Sequence, residues 1–395
     1  MSRSFFSPSL VLPLVSGALY DLPCPSNLSV WWNMGSLLGA CLVSQILTGW
    51  FLSFYYTAHE DLAFSSVSFI MKEVSMGWAM RSFHINVANF MLGCIYVHIG
   101  RGLYYGSFRL YKVWASGIIL LVLVMLAAFT GYVLPWGQMA YWAAQVISSM
   151  VTAIPKVGGE VAMWVWGGYA VGNITLKRLF SVHFLLPFVI LAVVLLHLLF
   201  LHSSGSGNPL GLDSDCSLVR FHSFFSVKDL LGVSGGCCFL IFMVSFYPYS
   251  LVDGESFVPC DYMDTPPSIH PEWYFLFAYA ILRSVPNKAG GILLMLSSIL
   301  ILFILPELWY GHMESLAYYP LCQALFWLWV ANFCVLTFVG SQGADEPFIS
   351  AGEWGTFFYF FFFPLVGVVQ QLEDRFQLSF KGKKSGRLYI NGVIY

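Results

Sequence analysis

The chain has 395 residues, of which 58% are apolar, 18% aromatic and only 10% charged, where an ordinary soluble domain carries about a quarter of its residues as charge. No water-soluble surface can be built from that, and 18 basic against 20 acidic side chains leave a net charge of −2 with no basic stripe, which excludes nucleic acid as a partner. Nine cysteines occur without CxxC or CxxCH spacing, so zinc, iron–sulfur and covalently attached c-type haem signatures are absent.

A bilayer core of about 30 Å takes roughly 20 apolar residues per helix. Eight sparsely charged runs of that size predict membrane helices centred on Val30 to Tyr56, Trp78 to Tyr104, Val113 to Leu134, Thr175 to His202, Leu230 to Tyr247, Ala289 to Trp309, Tyr319 to Gly340 and Ile349 to Val369. Barrel strands are excluded because no period-2 alternation is present. Between Lys112 and Lys156 no charge occurs, which is room for two short spans. Gln138 to Ile154 nevertheless carries Gln138, Gln145, Ser148, Ser149 and Thr152, and is predicted to be an amphipathic helix lying in the interface. Ser268 to Pro286, aromatic and bounded by prolines with Glu272 and Arg283 inside, is predicted to be re-entrant or interfacial. The tail from Glu373 is basic and reads as solvated or in contact with another subunit. No leader-like pattern precedes the first run, so no cleaved segment is expected.

Eight crossings put both termini on one side. Counting spans gives that side eleven basic and eight acidic residues, Arg3 and Arg387 among the cations, against seven and twelve opposite. By the Lys/Arg bias the termini face the cytoplasm or matrix, the negative side.

Ionisable side chains within spans are costly and mark function. His84 and His98 lie on the second span and His183 and His197 on the fourth, each pair 14 residues apart. That interval is about 21 Å along a helix and returns to within roughly 40° of the same face. The second and fourth spans run parallel, so His84 is level with His183 and His98 with His197. Two imidazoles from facing helices suit a six-coordinate haem iron, which favours electron transfer over oxygen chemistry. A zinc site would need further ligands that neither level supplies. Gly35 and Gly49 on the first span, and Gly117 and Gly131 on the third, repeat the same interval and would let a porphyrin approach the backbone. Arg81, three residues before His84, and Arg101, three after His98, could pair with haem propionates or snorkel to the interface. The expected fold is therefore an all-α integral membrane protein. Residues 1–210 would form a haem-holding four-helix bundle of spans one to four, and residues 211–395 a second membrane region of spans five to eight.

At these residues the chain resembles the cytochrome b family, the di-haem membrane subunits of respiratory complex III. The runs PSNLSVWWNMGSLLG (Pro25 to Gly39), HIGRGLYYGS (His98 to Ser107), GYVLPWGQM (Gly131 to Met139), KDLLG (Lys228 to Gly232) and PEWYFLFAYAILRSVPNK (Pro271 to Lys288) carry the similarity. The resemblance implies two non-covalent b-type haems, a low-potential one on His84 and His183 near the positive side and a high-potential one on His98 and His197. It implies ubiquinol oxidation on the positive side, with one electron passing to a Rieske iron–sulfur protein and then a c-type cytochrome. The other electron crosses both haems to a quinone-reducing site on the negative side, with coupled proton translocation. It further implies a catalytic role in a quinol–cytochrome c reductase, a homodimeric assembly with other complex III subunits, and a mitochondrial inner membrane location with both termini in the matrix, a bacterial plasma membrane being the alternative.

For quinol oxidation the resemblance points to Glu272, Tyr132 and Tyr279. A carboxylate among aromatic residues can have its pKa raised by desolvation and act as a general base; read without the resemblance, Glu272 is equally a solvated group on an interfacial helix. For quinone reduction it points to His202, Ser206, Lys228 and Asp229, which are otherwise ordinary loop polars. His202 and Asp229 would bond the quinone oxygens and relay protons, and Lys228 would guide uptake. Two departures from the family stand out. Ala143 occupies a usual glycine position in the quinol pocket, and Ile85, Val87 and Asn89 interrupt the small-residue stretch after His84. The rival function is a non-redox transporter or channel whose buried histidines relay protons.

Overall fold

The computed structural model describes residues 16–309, 311–385, 389–390 and 393–394; Arg3 and Arg387 lie outside the described residues. Eight of its helices are long and apolar enough to cross a membrane, which makes the chain an all-helical integral membrane protein. In chain order these are α1 (Met34–Ser53, entered through a 3-10 turn at Val30–Asn33), α3 (Gly77–Tyr104), α4 (Tyr111–Val133), α7 (Asn173–Ser204), α8 (Phe224–Phe246), α10 (Lys288–Leu308), α11 (Pro320–Gly340) and α12 (Phe348–Ser385). Shorter helices lie between them: α2 (Ala63–Lys72), α5 (Gln138–Ser149), α6 (Gly158–Trp166) and α9 (Leu276–Arg283).

Helices are the form that satisfies every backbone group without water, and the few hydroxyls inside the spans follow the same rule. Ser44, Thr48, Ser116, Thr130 and Thr337 each donate to the carbonyl four residues back, at 2.7–2.9 Å. Pro187, Pro306 and Pro364 sit inside α7, α10 and α12. Long side chains such as Leu185, Leu195 and Leu199 on α7 are exposed, as a lipid-facing surface requires.

Helices α1 and α3 pack together, as do α4 and α7, and contacts of α1 with α7 and α3 with α4 close a four-helix bundle. Helix α8 leans on α1 and α3, while α9 to α12 pack among themselves and meet the bundle through α10 against α4. Lipid supplies no hydrophobic drive between helices, so directional bonds matter, at about 0.6 kcal/mol each on average. Trp114 Nε1 donates to the Leu302 carbonyl (2.7 Å), Trp309 Nε1 to Phe363 (2.9 Å), Asn332 Nδ2 to Gly355 (2.9 Å) and the Tyr359 hydroxyl to Ser298 (2.8 Å).

Contacts between loops fix which helix ends share a face. Strand β1 (Pro23–Pro25), before α1, pairs antiparallel with β2 (Leu218–Arg220), between α7 and α8. Arg109, between α3 and α4, donates to the Gly311 carbonyl, between α10 and α11. These loops form one face, the terminal face. On the other, Gly137 pairs with Pro259 and Lys288 Nζ donates to Thr152 Oγ1 at 2.9 Å. Helix α5 is only 12 residues long and stays on this second face, the α5 face, so α3 and α7 run in the same direction.

The residues from Glu373 onward, expected to be solvated or in contact with another subunit, differ at their start, where they pack within this chain. Helix α12 continues through them, and Glu373 accepts the Leu321 and Cys322 amides at 3.1 and 3.4 Å, placing a carboxylate at the positive end of α11. Asp374 is 8% exposed and accepts the Tyr319 hydroxyl (2.8 Å) and the His312 amide (3.1 Å).

Candidate functional site

The parallel course of α3 and α7 brings the four histidines to two levels. Near the α5 face the His84 and His183 rings stand with centroids 6.4 Å apart and planes at 79°. Near the terminal face His98 interacts electrostatically with both His197 and Arg101. Each ring rests on a glycine of the neighbouring helix. A Cβ built on Gly49 would lie 3.1 Å from His84 Cε1, on Gly131 2.5 Å from His183 Cε1, on Gly117 3.3 Å from His197 Cε1 and on Gly35 3.9 Å from His98 Cε1. The missing side chains therefore make room for imidazoles.

The ring nitrogens have defined partners. His84 Nδ1 lies 2.7 Å from Thr48 Oγ1, and His183 Nδ1 2.9 Å from the Ala127 carbonyl and 3.4 Å from Thr130 Oγ1. His197 Nδ1 lies 2.9 Å from Ser116 Oγ. A carbonyl can only accept, so His183 donates from Nδ1 and leaves Nε2 bare, the state a metal ligand needs.

Two arginines flank the levels. Arg101 is held over the Trp32 ring at 5.0 Å, and its Nε is buried without a hydrogen-bond partner. The ion pairs among the described residues involve neither Arg101 nor Arg81. A buried guanidinium without a carboxylate is costly and is suited to an anionic group brought by a ligand.

On the α5 face, Glu272 opens the 3-10 turn Trp273–Phe275 that leads into α9. That turn is anchored to α3: Trp273 Nε1 donates to Asn89 Oδ1 at 2.8 Å, and the Tyr96 hydroxyl donates to the Tyr274 carbonyl. Asn89 thus ties the turn to the helix that carries His84. Burial raises the Glu272 carboxyl to about 7, with the nearby Asp253 carboxylate adding to the effect and the Tyr132 hydroxyl beside it opposing. Asp253 in turn lies 3.8 Å from His270 Nε2. Tyr279 packs under Arg283, 5.0 Å from its ring centroid. A cavity of about 260 Å³ opens between the end of α5 and the α9–α10 turn, lined by Val146, Met150, Leu282, Arg283 and Lys288 among others.

On the terminal face Trp32 links two candidate residues, donating to Ser206 Oγ at 3.2 Å while carrying Arg101 on its ring. Lys228 Nζ bonds the Leu28 carbonyl at 2.5 Å, and the Lys228 carbonyl accepts Asn33 Nδ2 at 2.8 Å. Asp229 lies beside Ser36. His202 is exposed, and no hydrogen bond or ion pair joins it to Lys228 or Asp229 among the described residues.

Two family models cover most of the chain: cytochrome b/b6/petB matches residues 19–205 and the C-terminal cytochrome b/b6/petD model residues 259–360. The chain belongs to the cytochrome b family. A solved structure described as a hyperthermophilic respiratory Complex III is similar over 93% of this chain and 98% of that one, with 28% identity and a TM-score of 0.86. Membership in the cytochrome b family brings b-type haem binding, electron transport and a place in a multi-subunit respiratory complex; the transporter alternative finds no support.

The residues fit a haem. Among the described residues no group of three or more His, Cys, Asp and Glu could hold a metal ion. The porphyrin of a haem brings four nitrogens of its own, so a pair of histidines at each level would be enough to hold it. Centroids 6.4 Å apart leave space for two metal–imidazole bonds of about 2.0–2.1 Å each. Residues not singled out beforehand are Thr48, Ser116, Thr130 and Trp32. The signal for the first three was a hydroxyl residue immediately before Gly49, Gly117 and Gly131.

Proposed function

We propose that the chain is the catalytic, electron-transferring subunit of a ubiquinol–cytochrome c oxidoreductase, holding two b-type haems, with His84 and His183 ligating one and His98 and His197 the other. The observation that carries this reading is the pair of histidine levels, each ring backed by a glycine. Bound there, the two haems would supply one-electron carriers at two depths of the bilayer, the low-potential one toward the α5 face. Gly35, Gly49, Gly117 and Gly131 leave room for the rings. Arg101 and Arg81 would neutralise propionates, Arg101 from its perch on Trp32.

Quinol oxidation would take place on the α5 face. There the Glu272 carboxylate accepts a proton from the quinol hydroxyl, with the Tyr132 hydroxyl beside it and Tyr279 lining the pocket. A carboxyl at about 7 is divided between its two forms near neutrality, which is the condition for a general base that must also release its proton. Asp253 and His270, next along, lead toward the surface of that face. Quinone reduction would use the terminal face, where His202 and Asp229 hold the quinone oxygens and deliver protons, Ser206 hydrogen-bonds from the end of α7, and Lys228 draws protons in.

The partners in this reading are a Rieske iron–sulfur protein, a c-type cytochrome and other complex III subunits in a homodimeric complex. Its membrane is the mitochondrial inner membrane, with both termini in the matrix. Purified complex should show b-type absorbance equal to two haems per chain, resolved into two steps by redox titration. One haem per chain, or a spectrum without bis-imidazole bands, would refute the assignment.

A further inference from the structure

Three of the four ring-facing glycines follow a hydroxyl residue, in Thr48-Gly49, Ser116-Gly117 and Thr130-Gly131, whereas Gly35 follows Met34. Each hydroxyl spends its single proton inside its own helix. Thr48 donates to the Ser44 carbonyl at 2.7 Å, Ser116 to Lys112 at 2.8 Å and Thr130 to Leu126 at 2.8 Å. Only oxygen lone pairs then remain to face the histidines, so the ring nitrogen must be the donor. This sets the tautomer of His197, whose Nδ1 is 2.9 Å from Ser116 Oγ, with the Val113 carbonyl as a second acceptor nearby.

The opposite ring at this level is different. Among the described residues His98 Nδ1 has no acceptor; its neighbour is the Arg101 guanidinium, with Nη2 at 3.5 Å, itself a donor. One member of the pair thus sheds positive charge onto a hydroxyl while the other faces a cation. An acceptor on the far nitrogen makes an imidazole a more basic ligand, which favours the oxidised metal.

We propose that Ser116 is a positioning residue that, by accepting the Nδ1 proton of His197, holds Nε2 free for iron and lowers the reduction potential of the haem shared with His98. This rests on the haem assignment above. The test is a potentiometric titration of the b haems in membranes carrying the intact complex, for Ser116→Ala, Ser116→Thr and Met34→Ser. Ser116→Ala should shift one haem only, raising its reduced-to-oxidised ratio at fixed potential two- to tenfold, which is about 18–59 mV for a one-electron couple. Ser116→Thr keeps the hydroxyl and should restore the wild-type value. Met34→Ser places a hydroxyl before Gly35, opposite His98, and should shift the same haem the other way. Unchanged midpoints in Ser116→Ala, equal shifts of both haems, or failure of Ser116→Thr to restore the value would overturn the proposal. If Ser116→Ala does not accumulate, Met34→Ser decides: a fall supports the proposal and no change overturns it. Wild-type membranes lacking two b-haem steps would instead sink the underlying assignment.

Discussion

Adding a single methyl at each ring-facing glycine gives a graded test of the histidine levels. At Gly131 the new Cβ would lie 2.5 Å from His183 Cε1 and within 3.1 Å of both ring nitrogens; at Gly49 the nearest ring atom is at 3.1 Å, at Gly117 at 3.3 Å and at Gly35 at 3.9 Å. Ordinary contact begins near 3.4 Å, so the His183 ring must retreat by about 0.9 Å, His84 by about 0.3 Å and His197 by about 0.1 Å, against a tolerance of about 0.2 Å for metal–ligand bonds. His183 cannot retreat freely, because its Nδ1 is bonded to the Ala127 carbonyl. Forcing such an overlap costs about 1–3 kcal/mol, and here the ligand itself is what must move. Gly131→Ala should therefore lose the haem at that level, Gly49→Ala should retain it with weaker binding, Gly117→Ala should be mildly affected and Gly35→Ala should match wild type. The assay is b-haem content per chain from reduced-minus-oxidised spectra, normalised to protein by immunoblot. Full haem content in Gly131→Ala, or equal loss in Gly35→Ala and Gly131→Ala, would show that the glycines do not act by sparing the rings.

Five further outcomes are expected. Glu272 must be ionised to take a proton, so quinol oxidation should fall as the pH drops through about 7, and Glu272→Gln should abolish that acid limb in a turnover–pH profile. Because the folded state holds this proton more tightly than the unfolded chain, the group's stabilising contribution is full below its ordinary value of 4.5 and is lost as the pH rises through about 7. Glu272→Gln should accordingly gain up to about 3 kcal/mol relative to wild type between pH 5 and pH 8 in thermal melts. Arg101→Gln removes the buried cation and should weaken retention of the haem near His98 by about 10- to 150-fold, read as haem loss during detergent washing; unchanged retention counts against a propionate contact. Ala143 is buried on α5, 6% exposed, and Ala143→Gly should sharpen inhibition by methoxyacrylate-type compounds while leaving turnover intact, with an unshifted inhibition curve as the contrary result. Tyr319→Phe strips Asp374 of its hydroxyl partner and should cost about 1–3 kcal/mol, seen as a lower melting temperature with haem content preserved.

Much of the architecture was readable in the residues because a bilayer restricts what a chain can do. A run of some 20 apolar residues has to be helical, and parity then fixes direction, which by itself places His84 level with His183. The assignment turned on the segment after Pro135, where five amides and hydroxyls among apolar residues outweighed the absence of charge, and α5 lies on one face accordingly. Short elements escaped, because α2, α6 and the β1–β2 ladder depend on loops meeting each other rather than on lipid. The carboxylates at Glu373 and Asp374 were hidden by the lysines that follow them: net charge over a segment does not say which side chains turn back to meet a helix end.

The groups behind the histidine levels were hidden for a related reason. A 14-residue repeat places side chains by height and face along a single helix, which suffices for ligands and for the glycines opposite them. Whether a hydroxyl one residue away reaches the far nitrogen of a ring depends on how two helices are rotated against each other, and that rotation is set by packing across the bundle. Thr48, Ser116 and Thr130 satisfy their own backbone first, so each would serve as a neutral lining residue in any membrane helix. They gain meaning only beside an imidazole that needs an acceptor. Arg101 illustrates the converse: its charge was conspicuous in the sequence, yet its proposed role depends on Trp32, which holds the guanidinium beside His98 where no carboxylate among the described residues pairs with it. The two histidine levels therefore differ in the groups behind the ligands, with acceptors behind both rings of one and an acceptor opposed by a cation in the other. If each level holds a haem, as proposed, that difference would make the two unlike although all four ligands are histidines.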